Sequence, residues 1–90
     1  MEIRKTLTIL NKLGLHARAA TQLVKLAQSY QSEIHLERDG KNASADSVLG
    51  LMMLEGSQNK QVDVICRGED AQAAMDSISN LFTQRFNEDE

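Results

Sequence analysis

A histidine, an arginine and four small residues stand together in Gly14-Leu15-His16-Ala17-Arg18-Ala19-Ala20. They fall where alternating residues give way to helical spacing. A neutral imidazole has one unshared pair and changes charge near physiological pH, so it can act as a nucleophile. The first turn of a helix offers N–H groups without intrahelical partners and the positive end of the helix dipole. An anion formed at His16 would be stabilised there by the backbone N–H groups of Ala17 and Arg18 and clamped by the Arg18 guanidinium. Phosphoryl transfer needs this kind of positioning and charge stabilisation and little else from the protein. The small side chains of Ala17, Ala19 and Ala20 would let another protein approach. The plainer alternative makes His16 a helix cap and Arg18 a solvated charge, and spacing alone leaves both open.

Three further features bear on function. Ser47 precedes an apolar segment and suits the N-cap of a short helix. That segment, Val48-Leu49-Gly50-Leu51-Met52-Met53-Leu54, is too apolar all round for a surface helix. Half of it must face a core. The rest is expected to form an exposed docking patch from Val48, Leu49, Met52 and Met53, with Ala20 contributing from the neighbouring helix. His35 reads as a solvent-facing strand residue and Cys66 as core. No group of residues has metal-ligand spacing and no Gly-rich phosphate loop is present, so neither a metal nor another cofactor is expected.

The elements that must position these residues follow from periodicity. Residues 2–10 alternate as a strand, with Ile3, Lys5, Leu7 and Ile9 on one face, and Asn11-Lys12-Leu13-Gly14 breaks it. Residues 17–29 carry a helical stripe of Ala20, Leu23, Val24, Ala27 and Tyr30. Residues 33–38 form a second strand, Asp39-Gly40 a hairpin turn, and 41–45 a third strand. A short helix spans 47–54 and ends at Gly56. Residues 60–67 form a fourth strand, with Val62, Val64 and Cys66 on one face and Ile65 on the other. Gly68-Glu69-Asp70 opens a last helix, its acids complementing the dipole, with a stripe from Ala71 through Leu81 and Phe82 extended by Phe86. The order βαββαβα predicts an α+β open-faced sandwich: a four-stranded antiparallel sheet with three helices on one face.

Size and charge narrow the function classes. Residues 1–90 make one domain, with 87–90 expected to be a frayed acidic tail. The net charge of −3 argues against nucleic-acid binding. The single cysteine cannot form an internal disulfide, and no apolar run could span a membrane. A monomeric cytoplasmic protein is expected. With two phenylalanines, one tyrosine and no tryptophan, the core must be aliphatic, and without proline no kink or cis bond can be invoked.

The segment GLHARAA, the segment SADSVLGLMML and the run RGEDAQAAM together resemble the HPr family, the histidine phosphocarrier proteins of bacterial phosphotransferase systems. The resemblance covers the whole chain. It implies that His16 carries phosphate on Nδ1, received from a phosphoenolpyruvate-dependent enzyme I and passed to an enzyme IIA-type acceptor, with Arg18 in the same centre. The chain would be a carrier in a relay rather than an enzyme with its own turnover. The resemblance also makes Ser47 a regulatory position, phosphorylated by an HPr kinase in some bacteria. Asn11-Lys12-Leu13-Gly14, Leu51-Met52-Met53-Leu54 and the ending LF-x-x-x-F followed by acids are similar to the nitrogen-type branch, NPr. A sugar-transport HPr, a regulatory module whose phosphorylation state is the signal, and a small ligand-binding sandwich are the alternatives. Ala19 departs from the family, which usually has proline there. Alanine keeps helical geometry and adds a backbone donor, so function is expected to survive.

Overall fold

The computed structural model describes residues 1–88. Its elements are β1 (Glu2–Thr8), α1 (Ala17–Ala27), β2 (Glu33–Arg38), β3 (Lys41–Ser44), α2 (Val48–Met52), β4 (Gln61–Arg67) and α3 (Ala71–Thr83). The strands form one antiparallel sheet in the order β1-β4-β2-β3. The three helices cover one face, as the periodicity predicts.

The inner face is aliphatic. Leu36, Val62, Val64 and Cys66 from the sheet are buried against Leu23 of α1, Leu51 of α2, and Ile78 and Phe82 of α3. Burial pushes the Cys66 thiol up to about 11, with the nearby Asp70 charge adding to the shift, so the thiol is inert core. Ile65 points to the outer face but is only 1% exposed. It lies in register with Arg4 on one side and His35 on the other. Arg4 also reaches Glu37 at 3.3 Å and Asp63 at 3.5 Å, so long polar side chains span the outer face.

The turns use the expected chemistry in part. Asp39 and Gly40 both have positive φ, 52° and 78°, as a tight hairpin requires. After α2, however, the left-handed residue is Glu55 (φ 55°), not Gly56. Gly56 is needed for space instead. A Cβ there would stand 2.6 Å from the Ile9 side chain, and its carbonyl accepts a hydrogen bond from Leu15 N–H at 2.8 Å. Asp70 sits at the N-cap of α3 but makes no side-chain cap bond. Its carboxylate instead accepts from Gln31 N–H (2.8 Å), Ser32 N–H (2.9 Å) and Ser32 Oγ (2.5 Å). The acidic start of that helix thus ties down the α1–β2 turn.

The chain end departs most from expectation. Phe86 does not continue the α3 stripe. The helix stops at Thr83, and Arg85, Phe86 and Asn87 follow in one 3-10 turn with φ of 55°, 53° and 61°. Phe86 is still only 1% exposed, because the reversed chain folds its ring back to a centroid distance of 5.0 Å from Phe82. Asn87 and Glu88 are therefore not a frayed tail. Gln22 of α1 donates to the Phe86 carbonyl at 2.9 Å and accepts from Asn87 Nδ2 at 3.0 Å. Asp89 and Glu90 lie outside the described residues.

Candidate functional site

The segment before α1 is built to hold His16 still. Ile9 N–H donates to Lys60 O at 2.9 Å, and Asn59 N–H donates to Ile9 O at 2.7 Å. Past these bonds the chain leaves the sheet, and buried Asn11 bridges the turn by donating Nδ2 to Gly14 O at 2.8 Å. Gly14 has φ +66°, and a Cβ there would meet Gly56 O at 2.3 Å and Ser57 Cα at 2.9 Å. Only glycine permits both the left-handed backbone and this close approach. Buried Leu15 then fixes the entry to the helix.

His16 is the N-cap residue of α1, with extended backbone (φ −75°, ψ 179°). Its carbonyl accepts from Ala20 N–H at 2.9 Å, and its Nδ1 accepts from Arg18 N–H at 3.2 Å. The ring that accepts at Nδ1 carries its proton, when neutral, on Nε2. The cap reading of His16 is what the geometry shows: the imidazole caps the helix through Nδ1. Ala17, Arg18 and Ala19 occupy the first helical positions, so their N–H groups belong to the dipole's positive end. Arg18 is exposed. Ala19 is fully buried.

The side of the ring away from Nδ1 is occupied. Nε2 of His16 is hydrogen bonded to Glu88 Oε2. Glu88 Oε1 accepts from Asn11 Nδ2 at 3.1 Å. The side chains of His16 and Glu88 are 25% and 14% exposed, so this is a partly sheltered pair. Partial burial pushes the Glu88 carboxyl up. Hydrogen bonds from His16 and Asn11 and the charges of His16 and Arg18 outweigh this and hold it below the usual glutamate range. Sequence reasoning missed Glu88 and Asn11. Asn11 reads only as part of the break after the first strand, and a terminal acidic run reads as solvated charge.

The docking residues divide. Leu49 (73%), Met53 (71%) and Met52 (37%) are exposed, while Leu51 and Leu54 are core. Val48 is half-buried against the core. Ala20 is fully buried on the inner face of α1 and contributes no surface, which corrects its expected place in the patch. Leu13, in the loop before His16, is exposed (68%), although spacing marks it only as part of a strand break. An apolar residue with no place in any stripe was the available signal. Ser47 caps α2, its Oγ accepting from Gly50 N–H at 2.9 Å. His35 is half-exposed on the outer face. Among the described residues no group of His, Cys, Asp or Glu could hold a metal ion, and no helix is long and apolar enough to cross a membrane.

The fold is thus a βαββαβα sandwich with a histidine at the N-cap of its first helix. Comparison with known proteins places the chain in a family. The family model described as the PTS HPr component phosphorylation site matches residues 3–84. The chain is 47% identical over 87 residues to phosphocarrier protein NPr of Shewanella violacea, covering 97% of this chain and 96% of that one. It is 46% identical over 83 residues to phosphocarrier protein HPr of Xylella fastidiosa, covering 92% and 93%. The crystal structure of HPr from Thermoanaerobacter tengcongensis matches with a TM-score of 0.92 at 35% identity, covering 98% of this chain and 99% of that one. The chain belongs to the HPr family of phosphocarrier proteins.

Proposed function

We propose that this protein carries a phosphoryl group on Nδ1 of His16, taken from an enzyme I-type donor and given to an enzyme IIA-type acceptor. The observation that carries this reading is the Nδ1 lone pair at the head of α1, engaged by the Arg18 N–H. In the forward step the lone pair attacks phosphorus in line. The P–N bond to the donor's histidine breaks, and its electron pair returns to the donor imidazole. The Arg18 N–H exchanges its nitrogen partner for a phosphoryl oxygen, and the Arg18 guanidinium closes on the same group. In the return step the His16 imidazole is the leaving group. Leu13, Leu49, Met52 and Met53 supply the apolar contact for each partner in turn. Methionines suit such a surface because they repack against different shapes.

The similarity to a relative named NPr and the Asn11-Lys12-Leu13-Gly14 run support the nitrogen-related branch over sugar transport. We read Ser47 as a structural cap, since its Oγ is committed to Gly50 and Asp46 beside it would repel a phosphate. The test is incubation with phosphoenolpyruvate and enzyme I. Wild type is expected to gain one phosphate that is acid-labile and base-stable, and His16→Ala none. An unmodified wild type, or equal modification of His16→Ala, overturns the reading. Faster transfer to a sugar-type than to a nitrogen-type acceptor would overturn the branch alone.

A further inference from the structure

We propose that Glu88 is a positioning residue for His16: its carboxylate holds the imidazole proton on Nε2 while Nδ1 takes up and gives away phosphate. The inference rests on the carrier reading above. Its basis is a built contact rather than a passing one. Three consecutive left-handed residues are uncommon, since side chains other than those of glycine and asparagine disfavour that backbone. Here they are held from three sides. Phe86 is buried against Phe82, Gln22 clamps the Phe86 carbonyl and Asn87, and Glu88 N–H donates to Arg85 O at 3.0 Å. The reversal aims the Glu88 carboxylate back over the head of α1. There one oxygen meets His16 Nε2 and the other meets Asn11, which is fully buried and also bridges the loop to Gly14.

The chemistry follows from what a carboxylate can do. It only accepts hydrogen bonds, so it fixes the Nε2–H tautomer and leaves the Nδ1 lone pair outward. When Nδ1 bonds to phosphorus, the ring becomes an imidazolium that keeps its proton on Nε2, and Glu88 stabilises that charge. On transfer the N–P pair returns to Nδ1 and a neutral imidazole departs, with the same proton still on Nε2. Were the Nε2 proton lost first, the leaving group would be an imidazolate, a far poorer one. Glu88 therefore extends the pH range over which the phosphorylated protein can donate. The charged groups bearing on this site are Glu88 from the C-terminal turn, and Arg18 and the positive end of α1.

The experiment compares wild type with Glu88→Gln and Glu88→Asp, each first checked by NMR for a native fold at the assay temperature. NMR follows exchange of the His16 Nε2–H with water in the unphosphorylated protein. Donation from the phosphorylated protein to its acceptor is measured across pH. Glu88→Gln is expected to speed Nε2–H exchange at least about tenfold and to move the alkaline limb of donation about one pH unit toward acid. Glu88→Asp is expected to recover part of both. Unchanged exchange and an unchanged profile in a folded Glu88→Gln overturn the proposal. So does faster phosphorylation by enzyme I with the wild-type profile, which would make Glu88 a cover. If wild type accepts no phosphate at all, the carrier reading fails, while the exchange measurement still decides whether Glu88 holds the Nε2 proton.

Discussion

Phe86→Ala tests the C-terminal turn most directly, because Phe86 combines deep burial with a backbone that disfavours it. The ring is 1% exposed and packs on Phe82 with centroids 5.0 Å apart and planes at 56°. Truncating a buried phenylalanine costs about 3–5 kcal/mol, including the cavity left behind. A domain of this size holds roughly 5–10 kcal/mol in total. The thermal midpoint should therefore fall by about 12–25 °C. Alanine inherits the left-handed backbone of Phe86 (φ 53°), so this loss reports packing alone. Phe86→Gly separates the second effect. Glycine relieves about 1–2 kcal/mol of left-handed strain and loses about 0.5–1 kcal/mol to chain entropy. It should thus be more stable than Phe86→Ala by about 0.5–1 kcal/mol, the reverse of the usual order. Urea denaturation of the three proteins measures both differences. A loss below about 1 kcal/mol for Phe86→Ala, or a Phe86→Gly less stable than Phe86→Ala, would refute the reasoning.

Three other perturbations have defined outcomes. Gly14→Ala should cost about 2–5 kcal/mol, from left-handed strain plus the contact with Gly56 O, and should slow phosphorylation of His16 by shifting the loop that holds it; a wild-type melting curve would contradict this. Ser47→Ala should cost about 1 kcal/mol by freeing the Gly50 N–H, whereas Ser47→Asp, which can still cap, should cost less; chemical denaturation distinguishes them. Stability should decline in acid through Glu88 and Asp70. The Ser32 hydroxyl and the Gln31 N–H hold Asp70 low, and at Glu88 burial is outweighed by the bonds from His16 and Asn11. Groups with lowered carboxyl pKa values contribute fully above their unfolded values, and that contribution disappears as pH falls through the folded ones. Combining Glu88→Gln with Asp70→Asn should flatten the acid limb of a stability–pH curve, and an unaltered limb would count against both contacts.

The sequence by itself determined the element order, the antiparallel sheet, the inner face and the placing of His16 at a helix start. Each depends on local chemistry: alternation in strands, a three-to-four spacing in helices, Asp-Gly at a hairpin, Ser47 before an apolar run. Two-part spacing of the segments around His16 and Ser47 was also legible, and it carried the family resemblance. Leu49, Met52 and Met53 were readable as surface because a seven-residue helix cannot bury every side. What the sequence could not fix was pairing between distant groups. Asp70 looked like a helix-start acid until Ser32 and Gln31 were brought to it across 38 and 39 positions. By sequence Ala20 belongs both to the stripe of α1 and to the docking patch, and the fold buries it with the stripe. Above all, Glu88 meets His16 across 72 residues, by way of a left-handed turn in which Arg85 and Phe86 have no intrinsic preference for that backbone. That turn exists because burying Phe86 on Phe82 outweighs the backbone cost, a balance set only once α1 and α3 lie side by side. Tertiary structure thus decided which groups surround the imidazole, while the sequence had already determined where the imidazole stands.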